Sequence, residues 1–395
     1  MSDEAPRPGR HHLHIPGPTP IPDEVTRAMA RPLIDHRGPG FARLTRSILE
    51  RLGPVFGCDG PIAIYPSSGT GAWEAALVNT LSRGDEVLCC DNGHFARQWG
   101  EVARRLGLTV ERLGCDWRHP VDPRRLEERL AADADGRIRA VLALHNETST
   151  GVLSDVAALR KAIDDARHEA LLLVDVVSSL GAADYRHDQW GVDVTVAGSQ
   201  KGLMLPPGLG LTAIGDKALA ASKESGLPRS YWDWGPLLEA EERGFFPYTP
   251  AVPLLFGLDA ALDLLAAEGL PAVQARHRRL AAAVHAAVDG WGLELFCSRQ
   301  EARSPTLTAV RVPEGSDADE LRRVILERFD LSLGTGLGPL QGRVFRVGHL
   351  GSVNDLQVAA ALCGVEMGLA LAGIPHRAGG VGSAMERLAA PEEPC

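Results

Sequence analysis

Short, continuous apolar runs alternate with amphipathic ones through the first two thirds of the chain. Pro61–Pro66, Glu86–Cys90, Leu108–Leu113, Ile138–Leu144, Ala170–Val174 and Val192–Ala197 are runs of strand length, rich in Val, Ile and Leu. Between them, Ala72–Leu81 predicts a helix. Asp122-Pro123 predicts a capped start with Pro at the first helical position, continuing through Leu130, and Asp155 caps a predicted helix over Val156–His168. Apolar strands separated by helices predict a parallel sheet covered on both faces. The character then changes. Leu254–Glu268 and Val273–Gly290 predict longer helices. After them come a strand (Leu307–Val312), a helix capped by Ser316 or Asp317 (Ala318–Phe329), a strand (Val344–Val347) and a helix (Asp355–Ala372). The pattern predicts an extended Pro-, His- and Gly-rich arm over 1–20, a large α/β domain over 21–262 and a smaller α/β domain over 263–395.

Composition narrows the class. The chain has 395 residues, 45% hydrophobic and 23% charged, which is globular usage and excludes a disordered or collagen-like chain. Lys and Arg total 41 against 51 Asp and Glu, a formal charge of −10, so neither nucleic acid nor an anionic membrane is the expected partner. No run approaches the ~18 apolar residues of a membrane span, and Met1-Ser2-Asp3-Glu4 has no secretory character. Seven cysteines without a Cys-x-x-Cys pair predict reduced thiols. Together these features lead us to expect a cytoplasmic protein.

Three stretches carry chemistry. Ser68-Gly69-Thr70-Gly71 lies where a strand turns into a helix, and such a turn offers free amides, hydroxyls and a helix dipole to a phosphate. Alone it is more often an ordinary strand-to-helix turn. It lacks the Lys of a Walker A loop, and Gly334-Thr335-Gly336-Leu337-Gly338 fails the dinucleotide fingerprint. Asp175 ends an apolar strand, at the sheet edge where open α/β sheets bind ligands. The chain has only four lysines. Lys161, Lys217 and Lys223 lie in charged helical stretches, whereas Lys201 sits in Gly198-Ser199-Gln200-Lys201-Gly202 between two strands, a setting suited to a Schiff base with an aldehyde. Cradle, acid and lysine at strand ends, in that order, match the needs of pyridoxal 5'-phosphate: a phosphate site, a partner for the ring nitrogen and an amine for the aldehyde.

Six blocks make the resemblance specific: Asp35-His36-Arg37, Ser67–Glu74, His145–Gly151, Val174–Gly181, Gly198–Gly202 and Phe345–Gly351. The chain resembles the class V aminotransferases of PLP fold type I, in particular the serine–glyoxylate and aspartate–glyoxylate (alanine–glyoxylate-like) branch, from Ile15 to Ala384. The resemblance implies a large domain with a mostly parallel, seven-stranded sheet, a smaller C-terminal α/β domain, and a ping-pong transfer of an amino group from a small amino acid to glyoxylate. It implies Lys201 as the lysine that binds the cofactor and Asp175 as the ring-nitrogen partner. Ser68, Gly69, Thr70 and Gln200 would contact the phosphate. Thr148 would bond near the ring hydroxyl or Asp175, Val177 would press on one ring face, and Phe95 would take the aromatic place on the other. Tyr248 and Thr249 would reach the phosphate of the neighbouring subunit, giving a homodimer with composite sites. Arg346 would grip the substrate carboxylate.

Gly17, in Pro16-Gly17-Pro18, would crowd the space beyond, and Arg37 and His349 are candidates for a second carboxylate anchor if the donor is aspartate rather than serine. A cysteine desulfurase would need a nucleophilic Cys in the small domain. Cys297 and Cys363 are candidates by position only, and Leu331–Gly338, where a mobile loop would carry it, has none. A non-catalytic binding protein of the same fold would have lost Lys201. His11-His12-x-His14 has no acid beside it in sequence, so no metal is expected.

Overall fold

The computed structural model describes residues 9–390. Seven strands form the larger sheet, in the order Ile62–Ser67, Gly208–Ile214, Val194–Gly198, Leu171–Asp175, Ile138–Leu144, Glu86–Asp91 and Thr109–Gly114. Every pairing is parallel except those of Gly208–Ile214, which runs antiparallel to both neighbours. The strands predicted over 62–113 and 138–175 fall within a residue or two of their expected places. Gly208–Ile214 is the strand expected after Lys201, whose bounds the sequence left open because Pro206-Pro207 reads as loop.

Leu171–Asp175 and Val194–Gly198 are buried along their whole length and Ile138–Leu144 everywhere but Arg139, as a sheet covered on both faces requires. The predicted caps hold: Asp122 accepts from the amide of Arg124 and Asp155 from that of Ala158. The helix predicted to His168 stops at Asp165, because Arg167 adopts a left-handed φ of 51°.

A second sheet has five strands, in the order His12–His14, Leu331–Thr335, Val344–Gly348, Leu307–Arg311 and Glu294–Leu295. Helices Leu270–Trp291, Ala318–Phe329, Asp355–Leu371 and Gly380–Ala389 accompany it. Asp317 caps the second of these, and an Asn354–Gln357 capping box opens the third. One hydrophobic core surrounds the large sheet and a second lies against the small one. The division falls between Val273 and Leu280, inside the helix Leu270–Trp291.

The arm is more than an extended tail. His12–His14 adds a parallel strand to Leu331–Leu333. His11, read from sequence as lacking an acid partner, pairs with Asp330 at 2.8 Å. Further on, the amide of Thr19 donates to the carbonyl of Gln200 and its hydroxyl to that of Lys201. The arm therefore bridges the two sheets. None of the described helices is long and apolar enough to cross a membrane.

Candidate active site

The site gathers at the carboxyl ends of the parallel strands. Strand Ile62–Ser67 runs through Ser68 into helix Gly69–Thr80, and the Ser68 side chain makes no capping bond. The first amides of this helix are thus uncapped, and they carry the positive end of its dipole. Gly69 is required by close approach: a Cβ there would lie 2.6 Å from Cγ2 of Val177. A Cβ on Gly198 would meet the Gly69 amide nitrogen at 3.3 Å and Oε1 of Gln200 at 3.1 Å. Residues 68–70, 177 and 198–200 therefore converge. Oε1 of Gln200 is buried there without a hydrogen-bond partner.

Asp175 is buried. Its Oδ1 accepts from the amide of Val177 at 2.6 Å and its Oδ2 from the indole N–H of Trp73 at 2.7 Å. Burial pushes its carboxyl up to about 7, against the downward pull of those two bonds, and Glu147 adds a smaller upward push. A protonated ring nitrogen beside it would bring it back down. Glu147 is itself fully buried and accepts from the amides of Phe95, Ala96 and Ser149 and the hydroxyl of Ser149. It therefore pins the start of helix His94–Arg105, which carries Phe95. The hydroxyl of Thr148 donates to Ser178 at 2.7 Å rather than to Asp175.

Lys201 is 8% exposed. Its Nζ donates to the carbonyl of Pro16. Burial, reinforced by the charge of Arg346, lowers the ammonium to about 8, with Asp175 opposing. Gly17 lies against the lysine stem: with φ 115°, a Cβ there would come within 2.3–2.8 Å of Cδ, Cε and Nζ. Arg346, on strand Val344–Gly348, gives Nε to the carbonyl of Thr335 and Nη1 to that of Thr148, both at 2.8 Å. Nη2 makes no hydrogen bond to the described residues. The imidazole of His94 is pushed below the usual histidine range by partial burial and by the charges of Arg346 and Arg97.

Other candidates lie elsewhere. His349 was a candidate anchor on sequence, and the structure corrects this. The ring is fully buried, with Nε2 against the hydroxyl of Thr308 at 2.9 Å and Nδ1 against the carbonyl of Pro305 at 3.0 Å. Burial holds it far below the usual histidine range, so it is neither cationic nor free. Arg37 is exposed, beside a surface cleft formed with Pro236, Arg243 and Phe245–Pro247. Tyr248 stacks on Tyr231 at 4.4 Å and keeps a buried hydroxyl without a partner, while Thr249 is exposed. Among the described residues no hydrogen bond ties Tyr248 or Thr249 to residues 68–70. Sequence reasoning missed Trp73, Glu147 and His94. Trp73 and Glu147 lie inside the quoted blocks, but their partners, Asp175 and the start of helix His94–Arg105, are distant in sequence.

An uncapped helix start with free amides, a buried carboxylate and a lysine held below its ordinary range fit pyridoxal phosphate. Fold and site together define a PLP-dependent enzyme of the mostly parallel α/β class. The family described as aminotransferase class-V matches residues 13–337. The chain is 47% identical over 376 residues to an L-aspartate–glyoxylate aminotransferase of Paracoccus denitrificans, covering 95% of each. It is 48% identical over 369 residues to a serine–glyoxylate aminotransferase of Methylorubrum extorquens, covering 92% of each. Among solved structures, the ureidoglycine–glyoxylate aminotransferase from Bacillus subtilis superposes with a TM-score of 0.89 at 25% identity, over 97% of this chain and 99% of that one. This chain belongs to the class V aminotransferases.

Proposed function

We propose that this aminotransferase moves the amino group of serine to glyoxylate, giving glycine and hydroxypyruvate by a ping-pong mechanism. The observation that carries the reading is the pairing of Arg346 with Lys201 under the arm. One guanidinium nitrogen is left for a carboxylate, and Gly17 on the lysine stem leaves little room beyond it. Glyoxylate has one carboxylate and no side chain. An aspartate donor needs a second cation. His349 is neutral, and Arg322, near enough to repel Arg346, is spent on Asp319 and the carbonyl of Leu333. A serine donor needs only a hydroxyl partner.

When bound, pyridoxal phosphate supplies the aldehyde that takes up the amino group and a ring that accepts the electrons of the breaking Cα–H bond. Ser68, Gly69, Thr70 and Gln200 would hold its phosphate, Val177 and Phe95 its ring faces, and Asp175 its ring nitrogen. Arg346 fixes the donor carboxylate, which orients Cα–H toward Lys201. Nζ of Lys201, with its ammonium lowered to about 8, is partly neutral near that pH and takes the α-proton. Trp73 and Val177 keep the Asp175 carboxylate aimed and favour its ionised form. The protein is proposed to be a cytoplasmic homodimer in which Tyr248 and Thr249 complete the partner's phosphate site. A screen of serine, aspartate, alanine and glycine against glyoxylate, pyruvate and 2-oxoglutarate tests the reading. Serine with glyoxylate should give the highest kcat/KM. A higher value for pyruvate or 2-oxoglutarate with every donor would overturn the acceptor, and a higher value for aspartate would overturn the donor.

A further inference from the structure

At the amino ends of the parallel strands, opposite the end that carries Lys201, two loops are fastened together. The amide of His187 donates to the carbonyl of Phe56 and that of Asp188 to the carbonyl of Gly57, both at 3.0 Å. The amide of Asp59 returns a bond to Oδ2 of Asp188 at 2.7 Å. The approach is so close that a Cβ on Gly57, at φ 61°, would lie 2.9 Å from Cα of Arg186. This fastening brings Sγ of Cys58, a ring nitrogen of His187 and a carboxylate oxygen of Asp188 within 4.8 Å of one another.

The three groups differ in a useful way. Cys58 and His187 are buried, and Asp188 is exposed. His187 is 0% exposed, and its Nδ1 is taken up by the hydroxyl of Thr195 at 2.6 Å. Its Nε2 is buried with no hydrogen-bond partner and lies 3.9 Å from Oδ1 of Asp188. A buried imidazole nitrogen without a partner is costly in a finished core. Here the orphan faces a carboxylate and stands beside a thiol. The carboxylates of Asp188 and Asp59 both place negative charge near Cys58. Thr195 is in turn bonded to the hydroxyl of Tyr185 at 2.6 Å. That chain orients the ring, as outer-shell partners orient metal-ligating histidines.

We propose that Cys58, His187 and Asp188 bind one divalent zinc-type cation. One thiolate, one imidazole and one carboxylate are the ligand set of a borderline-soft ion such as Zn²⁺. Bond lengths of about 2.0–2.3 Å in a tetrahedron place ligand atoms roughly 3.4–3.6 Å apart. From separations of up to 4.8 Å the groups close by roughly 1.4 Å at most, which calls on rotation of the exposed Asp188 side chain, and water fills the fourth position on its open side. Binding replaces the Cys58 S–H bond with a sulfur–metal bond and releases that proton to solvent. No oxidation or reduction is involved. The bound ion staples the loop after helix Pro39–Phe56 to the loop before strand Val194–Gly198. The site uses none of the residues that hold cofactor or substrate.

Cofactor-loaded protein without an affinity tag, stripped with EDTA, is dialysed against about 10 µM ZnCl₂, and bound zinc is measured by atomic emission. About one zinc per chain is expected, with a rise of the unfolding midpoint that EDTA reverses. Cys58→Ser and His187→Gln should each abolish both effects, while Cys363→Ser, at an exposed thiol, should change neither. If either buried-site variant fails to fold, Asp188→Asn decides the matter. It lies at the surface and its amide oxygen still accepts from Asp59, so the variant should fold and transaminate normally yet bind zinc at least about tenfold more weakly. Only trace zinc in the wild type, or zinc binding by Asp188→Asn equal to wild type, would overturn the proposal.

Discussion

The indole N–H of Trp73 reaches Oδ2 of Asp175 at 2.7 Å, joining helix Gly69–Thr80 to strand Leu171–Asp175 across 102 positions of sequence. The same helix begins at the uncapped turn assigned to the phosphate. If the cofactor sits as proposed, this one element would set the distance between its two anchors, at the phosphate and at the ring nitrogen.

Trp73→Phe keeps the ring packing and removes that donor. A hydrogen bond to a charged group contributes about 1.5–3 kcal/mol, so the donor half-reaction should slow by about 10- to 100-fold in single-turnover absorbance measurements. The bond lowers the Asp175 carboxyl, so its loss raises that carboxyl, and the acid limb of the pH–rate profile should move to higher pH. A slower rate with an unmoved acid limb would mean that Trp73 acts only through packing.

Lys201→Ala should abolish turnover by several orders of magnitude, and the visible absorption of cofactor-loaded protein should be lost or shifted. In the wild type the fraction of free amine grows as pH rises through about 8, so α-proton transfer should accelerate across that value and then level off.

The same lysine predicts a stability signature in cofactor-free protein. Its folded value of about 8 lies below its ordinary 10.5. Between these values the unfolded chain binds more protons than the folded one, so stability gains from this group as pH rises through that window. Below about 8 the lysine is protonated in both states and its full cost is felt. Urea denaturation at pH 7.5 and pH 10 should show this gain in the wild type and its loss in Lys201→Met.

Gly17→Ala combines a strained left-handed φ with a methyl placed on the lysine stem. It should cut kcat by about 100-fold or more while leaving the unfolding midpoint within a few degrees, since the arm lies at the rim of the core. Rates near wild type would show that the arm withdraws during turnover.

Mixing Lys201→Ala with Thr249→Ala protomers tests the composite site. If Thr249 serves the partner's phosphate, one site of each mixed dimer carries both lesions and the other carries neither, so activity recovers above either parent. No recovery in verified mixed dimers would place Thr249 outside the site.

Much of the site was legible because its chemistry sits at strand ends, and strand ends follow from apolar runs. Asp175 and Lys201 stand where such runs stop, and three lysines in charged helices isolate the fourth. The residues that tune them were not legible. Trp73 and Glu147 act through partners about 100 and 50 positions away, and no local pattern records such pairings. His349 misled for the same reason: its two hydrogen-bond partners lie 41 and 44 positions upstream. The cluster at Cys58 escaped notice because the two loops that form it are 129 positions apart. In the fold, Gly208–Ile214 was obscured by the prolines before it, and strand Leu331–Thr335 by the glycines after it.

The arm leaves the small sheet at His14 and is fastened to the large one at Thr19. Between those two attachments lie Pro16, whose carbonyl accepts a hydrogen bond from the lysine, and Gly17, which rests on its stem. A strut fixed at both ends has no slack. Any sliding of one sheet past the other must pull or compress its middle, and the middle is the pair of residues over Nζ. A change in the spacing of the two sheets would therefore be felt at a single amine.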